Sequence, residues 1–268
     1  MYRIGLSCGA EGKELNKETF LGCQRAGISA MEISLLKSQY KYIDYQNLKK
    51  LSEEYGVELW SFHLPFSVSW NINIASVEKG VRQSTVSYFK ELIGKASDIG
   101  IDKIVIHPSC GAAPDVPRQL QMEYSKENLD YLAEYASSCG AVLAIEDLPG
   151  DCLGHDSTEM LELLSANDKL RVCFDTNHLL QENVVDFVKN VGDKIITTHI
   201  SDCDFVNERH WLPGEGKINW SALIDALQSV NYSGVWMYEI GFKAPASIKR
   251  ERDLTFEDFV HNAEQLFK

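Results

Sequence analysis

The chain has 268 residues, of which 44% are hydrophobic and 24% are charged, a composition that is ordinary for a soluble globular protein. Its formal net charge is −13, and its lysines and arginines are scattered, which disfavours broad binding to nucleic acid or to an anionic membrane. A locally positive cleft is still compatible with this charge, because a bound cation changes the field around it.

The cysteines and the amino terminus indicate a cytoplasmic protein. The seven cysteines include no C-x-x-C pair, and their odd number favours reduced thiols. The first residues, MYRIGLS, lead directly into a strand pattern, so we expect no signal peptide. No apolar run approaches the roughly 20 residues that a membrane-spanning helix needs.

Eight strand-like runs alternate with helical stretches along the chain. The predicted strands are Tyr2–Ser7, Ala30–Leu35, Glu58–His63, Lys103–His107, Val142–Glu146, Arg171–Asp175, Ile195–His199 and Val235–Glu239. The predicted helices cover about 16–26, 45–55, 77–99, a stretch ending at Gly140, one starting near Ser157, 184–191, 220–230 and a last one from about Thr255. Glycines after several helices are typical helix ends.

This alternation predicts parallel β-α-β units, and the strands read as the continuous apolar runs of a sheet that is covered on both faces. Eight units in a chain of this length favour a closed (β/α)8 TIM barrel that forms a single domain over residues 1–268. A doubly wound open sheet is the alternative. It usually carries a G-x-G-x-x-G turn after its first strand, and residues 7–10 here read Ser-Cys-Gly-Ala.

Six predicted strands end in a residue that can bind a metal ion or move a proton. These residues are His63, His107, Glu146, Asp175, His199 and Glu239, and the following loops add His178, Glu208 and His210. A lone histidine at a strand end is more often structural than a ligand. In a barrel, however, all these strand ends converge on the face where active sites are built.

Glu146, Asp175 and Glu239 would place three carboxylates at one barrel mouth, where they repel each other unless a cation is present. A divalent metal removes the repulsion, and His199 completes a set of four ligands. This mostly oxygen set suits manganese, magnesium, cobalt or iron as well as zinc. The remaining residues, His63, His107, His178, Glu208 and His210, are candidates for further metal ligands, for groups that orient the ligands, or for substrate contacts.

The assembled pattern resembles the xylose-isomerase-like barrel superfamily, and within it the sugar phosphate isomerase/epimerase group. The stretches that carry the resemblance are SFHLPF, the Glu78–Arg82 region leading into IVIHPS, AIEDLPG, VCFDTNH, HISD, PGEG with Asn219-Trp220, and WMYEI. The resemblance implies one metal held by Glu146, Asp175, His199 and Glu239, with both glutamates acting as acid and base. It also implies substrate contacts by His178 and His210, although many ketose epimerases have arginine at the latter position.

The same superfamily contains endonuclease IV, which cuts DNA at abasic sites with three zinc ions. Its nine ligands would correspond to the four residues above together with His63, His107, His178, Glu208 and His210, with Glu208 standing where that family has aspartate. A site with two or three metal ions is therefore an open alternative. The acidic charge and the absence of a basic stripe argue against DNA as the substrate.

We therefore predict a metal-dependent isomerase or epimerase of a small sugar, sugar phosphate or polyol. It would transfer a proton at the carbon next to a metal-polarised carbonyl, and a hydride shift would use the same residues. The alternatives are a multi-zinc phosphodiester hydrolase, a metal-dependent polyol dehydratase, or a barrel that only binds its ligand. Trp70 and Trp211 could close over the sugar or simply pack in their loops. The sequence does not decide between a monomer and a homo-oligomer.

Overall fold

The computed structural model describes residues 2–9, 13–66, 71–111 and 115–268 of the chain. The strands are β1 (Arg3–Gly9), β2 (Ala30–Ser34), β3 (Glu58–His63), β4 (Lys103–Ile106), β5 (Val142–Glu146), β6 (Arg171–Asp175), β7 (Ile195–His199) and β8 (Val235–Tyr238). The helices are α1 (Lys17–Ala26), α2 (Tyr45–Tyr55), α3 (Lys79–Asp98), α4 (Arg118–Ser138), α5 (Ser157–Leu164), α6 (Val184–Val191), α7 (Trp220–Ser229) and α8 (Phe256–Leu266).

All strand pairs are parallel, and the strand order is β7-β6-β5-β4-β3-β2-β1-β8. The two ends of this sheet meet at Ile200, which forms a parallel bridge with Tyr238. The Ile200 N–H donates to Met237 O at 2.7 Å, and the Glu239 N–H donates to Ile200 O at 3.2 Å. The sheet thus closes into the predicted (β/α)8 barrel.

Helix ends follow local sequence signals. The side chains of Asn16, Asp156 and Asn183 cap the amino termini of α1, α5 and α6 by accepting backbone N–H groups. Gly27 ends α1 in the left-handed conformation, with φ of 87°. These signals explain why the helix positions could be read from the sequence.

The alternation of side chains along each strand decides which ones enter the barrel lumen. On β5, Leu143 and Ile145 pack in the main apolar core, whereas Ala144 packs with Val105 and Cys173 in a separate small cluster. Glu146 lies two residues after Ala144, so it shares the face of this small cluster. The same alternation places Asp175 on the face of Cys173.

Three strands end one residue earlier than predicted. Strand β2 ends at Ser34 instead of Leu35. The other two were predicted to end at the candidate site residues His107 and Glu239, but β4 ends at Ile106 and β8 ends at Tyr238. Ladder pairing between β4 and β5 stops at Ile106 and Ile145, so His107 already belongs to the loop. Both residues still lie at the carboxyl-terminal end of the barrel.

Within the described part of the chain, no helix combines the length and the apolar character that a membrane crossing requires. The seven cysteines are free thiols, as expected from their number and spacing.

Candidate metal centre

The carboxyl-terminal ends of four strands bring side chains together at one end of the barrel. Glu146, Asp175 and His199 end β5, β6 and β7, and Glu239 directly follows β8. One ligand atom from each of these four residues lies within 4.8 Å of the corresponding atoms of the others. The first three are buried, and the Glu239 side chain is 13% exposed. The four residues that the sequence singled out therefore form one cluster.

His199 presents a single ring nitrogen to the three carboxylates. Its Nδ1 atom lies 2.8 Å from Glu146 Oε1, 3.4 Å from Glu239 Oε2 and 3.9 Å from Asp175 Oδ2. Burial disfavours the charged imidazolium, but Cys173 and the surrounding carboxylates together raise the pKa of His199 well above its usual range. The cluster thus attracts positive charge.

The donor set fits a divalent cation. Asp175 Oδ2 is buried and has no hydrogen-bond partner among the described residues. Burial, with a further contribution from the Glu239 and Glu146 carboxylates, raises the pKa of Asp175 well above its usual range. A cation among these oxygens would satisfy the unpartnered atom and remove the repulsion, and carboxylate oxygens with one imidazole are suitable ligands.

Glu146 lies at the centre of the cluster, with imidazoles on both of its oxygens. Its Oε2 atom lies 2.8 Å from His63 Nε2 and 2.9 Å from His107 Nε2, on the side away from His199. Burial alone would raise the pKa of Glu146, but His199 and His107 hold it well below its usual range. Glu146 is therefore ionised, which is the form that a ligand or a general base requires.

His63, His107 and Glu146 form a second group whose ligand atoms lie within 4.8 Å of one another. His63 Nδ1 donates to the carbonyl of Leu64 at 2.7 Å, which leaves Nε2 as the atom facing Glu146. His107 Nε2 makes no aligned hydrogen bond among the described residues, and burial lowers its pKa. This second group could hold a further ion.

The loops after β6 and β7 add the three remaining predicted residues. His178 Nδ1 donates to Asp147 O at 2.6 Å, and its Nε2 atom lies 2.9 Å from Glu208 Oε1. His210, with φ of 50°, donates from Nδ1 to Glu239 O at 3.0 Å. These contacts bring His178, Glu208 and His210 to the same end of the barrel as the cluster.

Glu32 is a site residue that the sequence reasoning missed. This acid lies within β2, is fully buried, and accepts hydrogen bonds from Ser7 Oγ at 2.9 Å and Ser61 Oγ at 2.8 Å. Its Oε1 atom also lies 2.9 Å from His199 Nε2. The sequence did contain one sign of this role, which is a single carboxylate within the mostly apolar strand AMEIS. A charge that a strand buries needs a partner, and such a partner points to a site.

The structure describes one of the two tryptophans that the sequence singled out. Trp70 lies outside the residues that the structure describes. The Trp211 indole N–H donates to Ser247 Oγ at 2.9 Å, and the Arg209 guanidinium lies 5.6 Å from its ring centroid. Trp211 therefore takes part in packing between the loops that follow β7 and β8.

A cavity of about 200 Å³ adjoins the cluster, and His107, His178 and Glu208 form part of its wall. The rest of the wall is mostly small or apolar: Phe66, Ser109, Cys110, Gly111, Leu148, Pro149 and Cys152. Its position fits a small-molecule site.

A second cavity, of about 610 Å³, lies around Tyr2, Tyr232 and Phe267, near the amino-terminal ends of β1 and β8. In TIM barrels this end contributes to stability, and the active site lies at the opposite end.

The fold and the cluster define a (β/α)8 barrel with a candidate metal centre at its carboxyl-terminal mouth. The chain belongs to the xylose isomerase-like TIM barrel family, whose model matches residues 20–256.

Relatives with and without a known activity match most of the chain. An uncharacterised protein of Methanocaldococcus jannaschii is 30% identical over 208 residues, which are 72% of this chain and 69% of that protein. The fructoselysine 3-epimerase of Shigella flexneri is 24% identical over 229 residues, 80% of this chain and 82% of the relative. The structure of an L-ribulose 3-epimerase shares the fold with a TM-score of 0.81 at 20% identity, covering 100% of this chain and 93% of that one.

Proposed function

We propose that the protein is a metal-dependent isomerase or epimerase of a small sugar or polyol. The observation that carries this proposal is the position of two glutamates at one imidazole: Glu146 and Glu239 lie 2.8 Å and 3.4 Å from His199 Nδ1 and come from β5 and the end of β8. Two carboxylates that approach one point from separate strands can act on two sides of a substrate carbon. The sugar epimerases among the relatives support this reading.

Each residue has a distinct task in the proposed reaction. Glu146, Asp175, His199 and Glu239 would hold the divalent metal, which when bound supplies Lewis-acid polarisation of the substrate carbonyl. The pKa values of Glu146 and Glu239 are both lowered against the effect of burial, chiefly by His199, so both carboxylates are available to accept a proton. One glutamate removes the proton next to the carbonyl, and the other, once it has taken up a proton from solvent, delivers that proton to the carbon from the opposite side.

The histidines of the neighbouring loops would orient the substrate. His178 lines the cavity and is held by the Asp147 carbonyl, which fixes its ring. His210 is held by the Glu239 carbonyl, so the loop after β7 is tied to the strand end that carries one of the two glutamates. Because Nδ1–H of each ring is used by a carbonyl, the Nε2 atom of each fixed imidazole can form a hydrogen bond with a hydroxyl group of a polyol.

A second candidate function is multi-zinc hydrolysis of a phosphodiester. The observation that favours it is the group of His63, His107 and Glu146, which provides ligand atoms for an additional ion. The contact between His178 and Glu208 points in the same direction. A net charge of −13 and a cavity wall without lysine or arginine among the described residues weigh against a polyanionic substrate.

The experiment that tests the proposal is an interconversion assay on a panel of ketoses, inososes and polyols. The metal-free protein is loaded with manganese, cobalt, magnesium or zinc, and the products are separated and identified by NMR. We expect a stereoisomer or positional isomer of at least one ketose to form only with metal. Cleavage of abasic DNA by the zinc-loaded protein, with no sugar converted, would instead establish the hydrolase.

A further inference from the structure

The loops after β4 and β5 each place a cysteine in the wall of the 200 Å³ cavity. Cys110 comes from the loop between β4 and α4, and Cys152 comes from the loop between β5 and α5. Both are reduced thiols of intermediate exposure. The proposed reaction uses neither of them. The cavity therefore presents two thiols, from different loops, that a reagent in solution can reach.

Contacts on both sides of Cys110 bring the two loops together. Before it, the buried Ser109 accepts the Leu153 N–H on its Oγ atom at 3.0 Å. After it, the Gly111 N–H lies close enough to the Cys152 sulfur to favour the thiolate form. Cys110 thus lies between two residues that both contact the chain at positions 152 and 153.

Arg118, at the start of α4, fixes the loop that carries Cys152. Its guanidinium donates to Asp151 O at 2.7 Å and to Cys152 O at 2.6 Å. Glu159 on α5 holds the same guanidinium, with Oε2 at 2.8 Å from Nη2. Since α4 directly follows the loop of Cys110 in the chain, the helix start links the two loops a second time.

This arrangement fits the geometry of a disulfide. A disulfide requires Cα atoms about 4.4–6.8 Å apart. The Gly111 nitrogen is about 2.4 Å from the Cα atom of Cys110, because only the carbonyl carbon separates them. A Cys152 sulfur beside that nitrogen is therefore within reach of the Cys110 side chain. Rotation of the two side chains about χ1 can bring sulfur to sulfur.

The Cys152 thiol also lies beside polar groups of the candidate site. Burial raises its pKa, and the charges of His178 and Glu208 act on that pKa with opposite signs. These two residues line the same cavity as the thiols. A bridge between the cysteines would therefore form next to the residues that are proposed to meet the substrate.

We propose that Cys110 and Cys152 form a reversible disulfide that narrows the cavity beside the candidate metal centre. The modification goes beyond the proposed function, and it needs a two-electron oxidant such as hydrogen peroxide. One sulfur, as its thiolate, attacks the peroxide to give a sulfenic acid and hydroxide, and the hydroxide takes up the thiol proton. The second sulfur displaces the sulfenic oxygen, which leaves as water with the second thiol proton. Two thiols and one peroxide thus give one disulfide and two water molecules.

Peptide mapping of the full chain tests whether the bridge forms. The protein is treated with hydrogen peroxide at about pH 8.5, because burial raises the pKa of Cys152 and the thiolate is the reactive form. It is then alkylated and digested without reductant. We expect a linked peptide that joins Cys110 to Cys152 and disappears with dithiothreitol. Absence of this peptide would overturn the inference.

Serine variants test whether the pairing is specific. Cys110→Ser and Cys152→Ser should each abolish the bridge. Cys139→Ser is the matched control, because Cys139 is also of intermediate exposure but lies between α4 and β5, at the opposite end of the barrel. This variant should form the bridge as the wild type does. Linked peptides that contain Cys139 in place of either partner would contradict the pairing.

Labelling of the cavity histidines tests the effect on the site without any sugar. Diethyl pyrocarbonate modifies accessible imidazoles, and its products at His107 and His178 are quantified by mass spectrometry before and after oxidation. A closed cavity is labelled only through rare opening, so we expect both rates to fall at least about tenfold. His261 is the internal control, since it is exposed on α8. Unchanged labelling of His107 and His178 in the bridged protein would overturn the proposed narrowing, whether or not the protein is an isomerase.

Discussion

The imidazole of His199 lies between Glu146 and Glu32, two acids from different strands. Its Nδ1 atom is hydrogen-bonded to Glu146 Oε1 at 2.8 Å in the candidate metal centre. Its Nε2 atom lies 2.9 Å from Glu32 Oε1 on β2, a close contact without an aligned hydrogen bond. In metalloproteins, a ligand histidine usually has its second nitrogen bound by a carboxylate or carbonyl, which fixes the ring and increases its basicity. Glu32 occupies that position here.

The first prediction concerns Glu32. Glu32→Gln keeps the size of the side chain and its contacts with Ser7 and Ser61, but it removes the charge beside His199. We expect metal affinity to fall about 10- to 100-fold with the fold retained, as measured by titration of the metal-free protein. Glu58→Gln is the control, since this acid is half exposed and pairs with Arg3 on the surface. Unchanged affinity in Glu32→Gln would show that Glu32 has only a structural role.

The second prediction concerns the proposed acid and base. Glu239→Gln should lower kcat by about 10²- to 10⁴-fold, because an amide cannot accept the substrate proton. Metal content must be measured in the same samples, since Glu239 is also a proposed ligand. Glu251→Gln serves as control, being an exposed acid on the same loop. Full turnover of Glu239→Gln with metal bound would remove Glu239 from the mechanism, and the same test applies to Glu146→Gln.

The third prediction separates the single-metal centre from a multi-metal one. Glu208 contacts His178 at 2.9 Å but does not belong to the group of four ligands. Glu208→Ala should therefore keep the metal content of the wild type, as determined by elemental analysis. Loss of one equivalent of metal in this variant would instead make Glu208 a ligand and would favour the hydrolase.

The fourth prediction concerns pH. The pKa values of Asp175 and His199 are both raised in the metal-free site, the former chiefly by burial and the latter by its acidic neighbours against burial. Both groups therefore hold protons at a higher pH than usual, and metal must displace these protons. We expect metal affinity to fall as pH decreases and metal binding to release protons, as measured by calorimetry in buffers of different ionisation enthalpy.

Glu32→Gln provides an internal check on the pH prediction. Removing this carboxylate lowers the pKa of His199, because one of the charges that favour the imidazolium is lost. Fewer protons should then be released on metal binding. A metal affinity that does not change between about pH 5 and pH 8 would contradict the assignment of these ligands.

Most of the barrel could be predicted because its signals are local. Apolar runs such as Val142–Glu146 and the helix-ending glycines depend on neighbouring residues alone, and β3, β5, β6 and β7 have the predicted bounds. Strand β1 extends to Gly9, beyond the predicted Ser7, because its end is set by pairing of Gly9 with Ser34 on β2. Strand ends that depend on a partner strand are not encoded locally.

The candidate site was predictable where its residues end a strand or lie in the loop that follows one. Barrel topology brings such ends together, so Glu146, Asp175 and His199 could be found without a structure. Glu32 lies inside a strand, and its role appears only when β2 and β7 face each other across the lumen.

Incorporation of solvent deuterium into a ketose tests the central claim most directly. The metal-loaded protein is incubated in deuterated water with the ketose that it converts, or with the panel if none is yet known, and the labelled carbon is located by NMR. The account predicts deuterium at the carbon next to the carbonyl, lost after chelation of the metal and strongly reduced in Glu146→Gln. Conversion without any label would indicate a hydride shift and contradict proton transfer by the two glutamates.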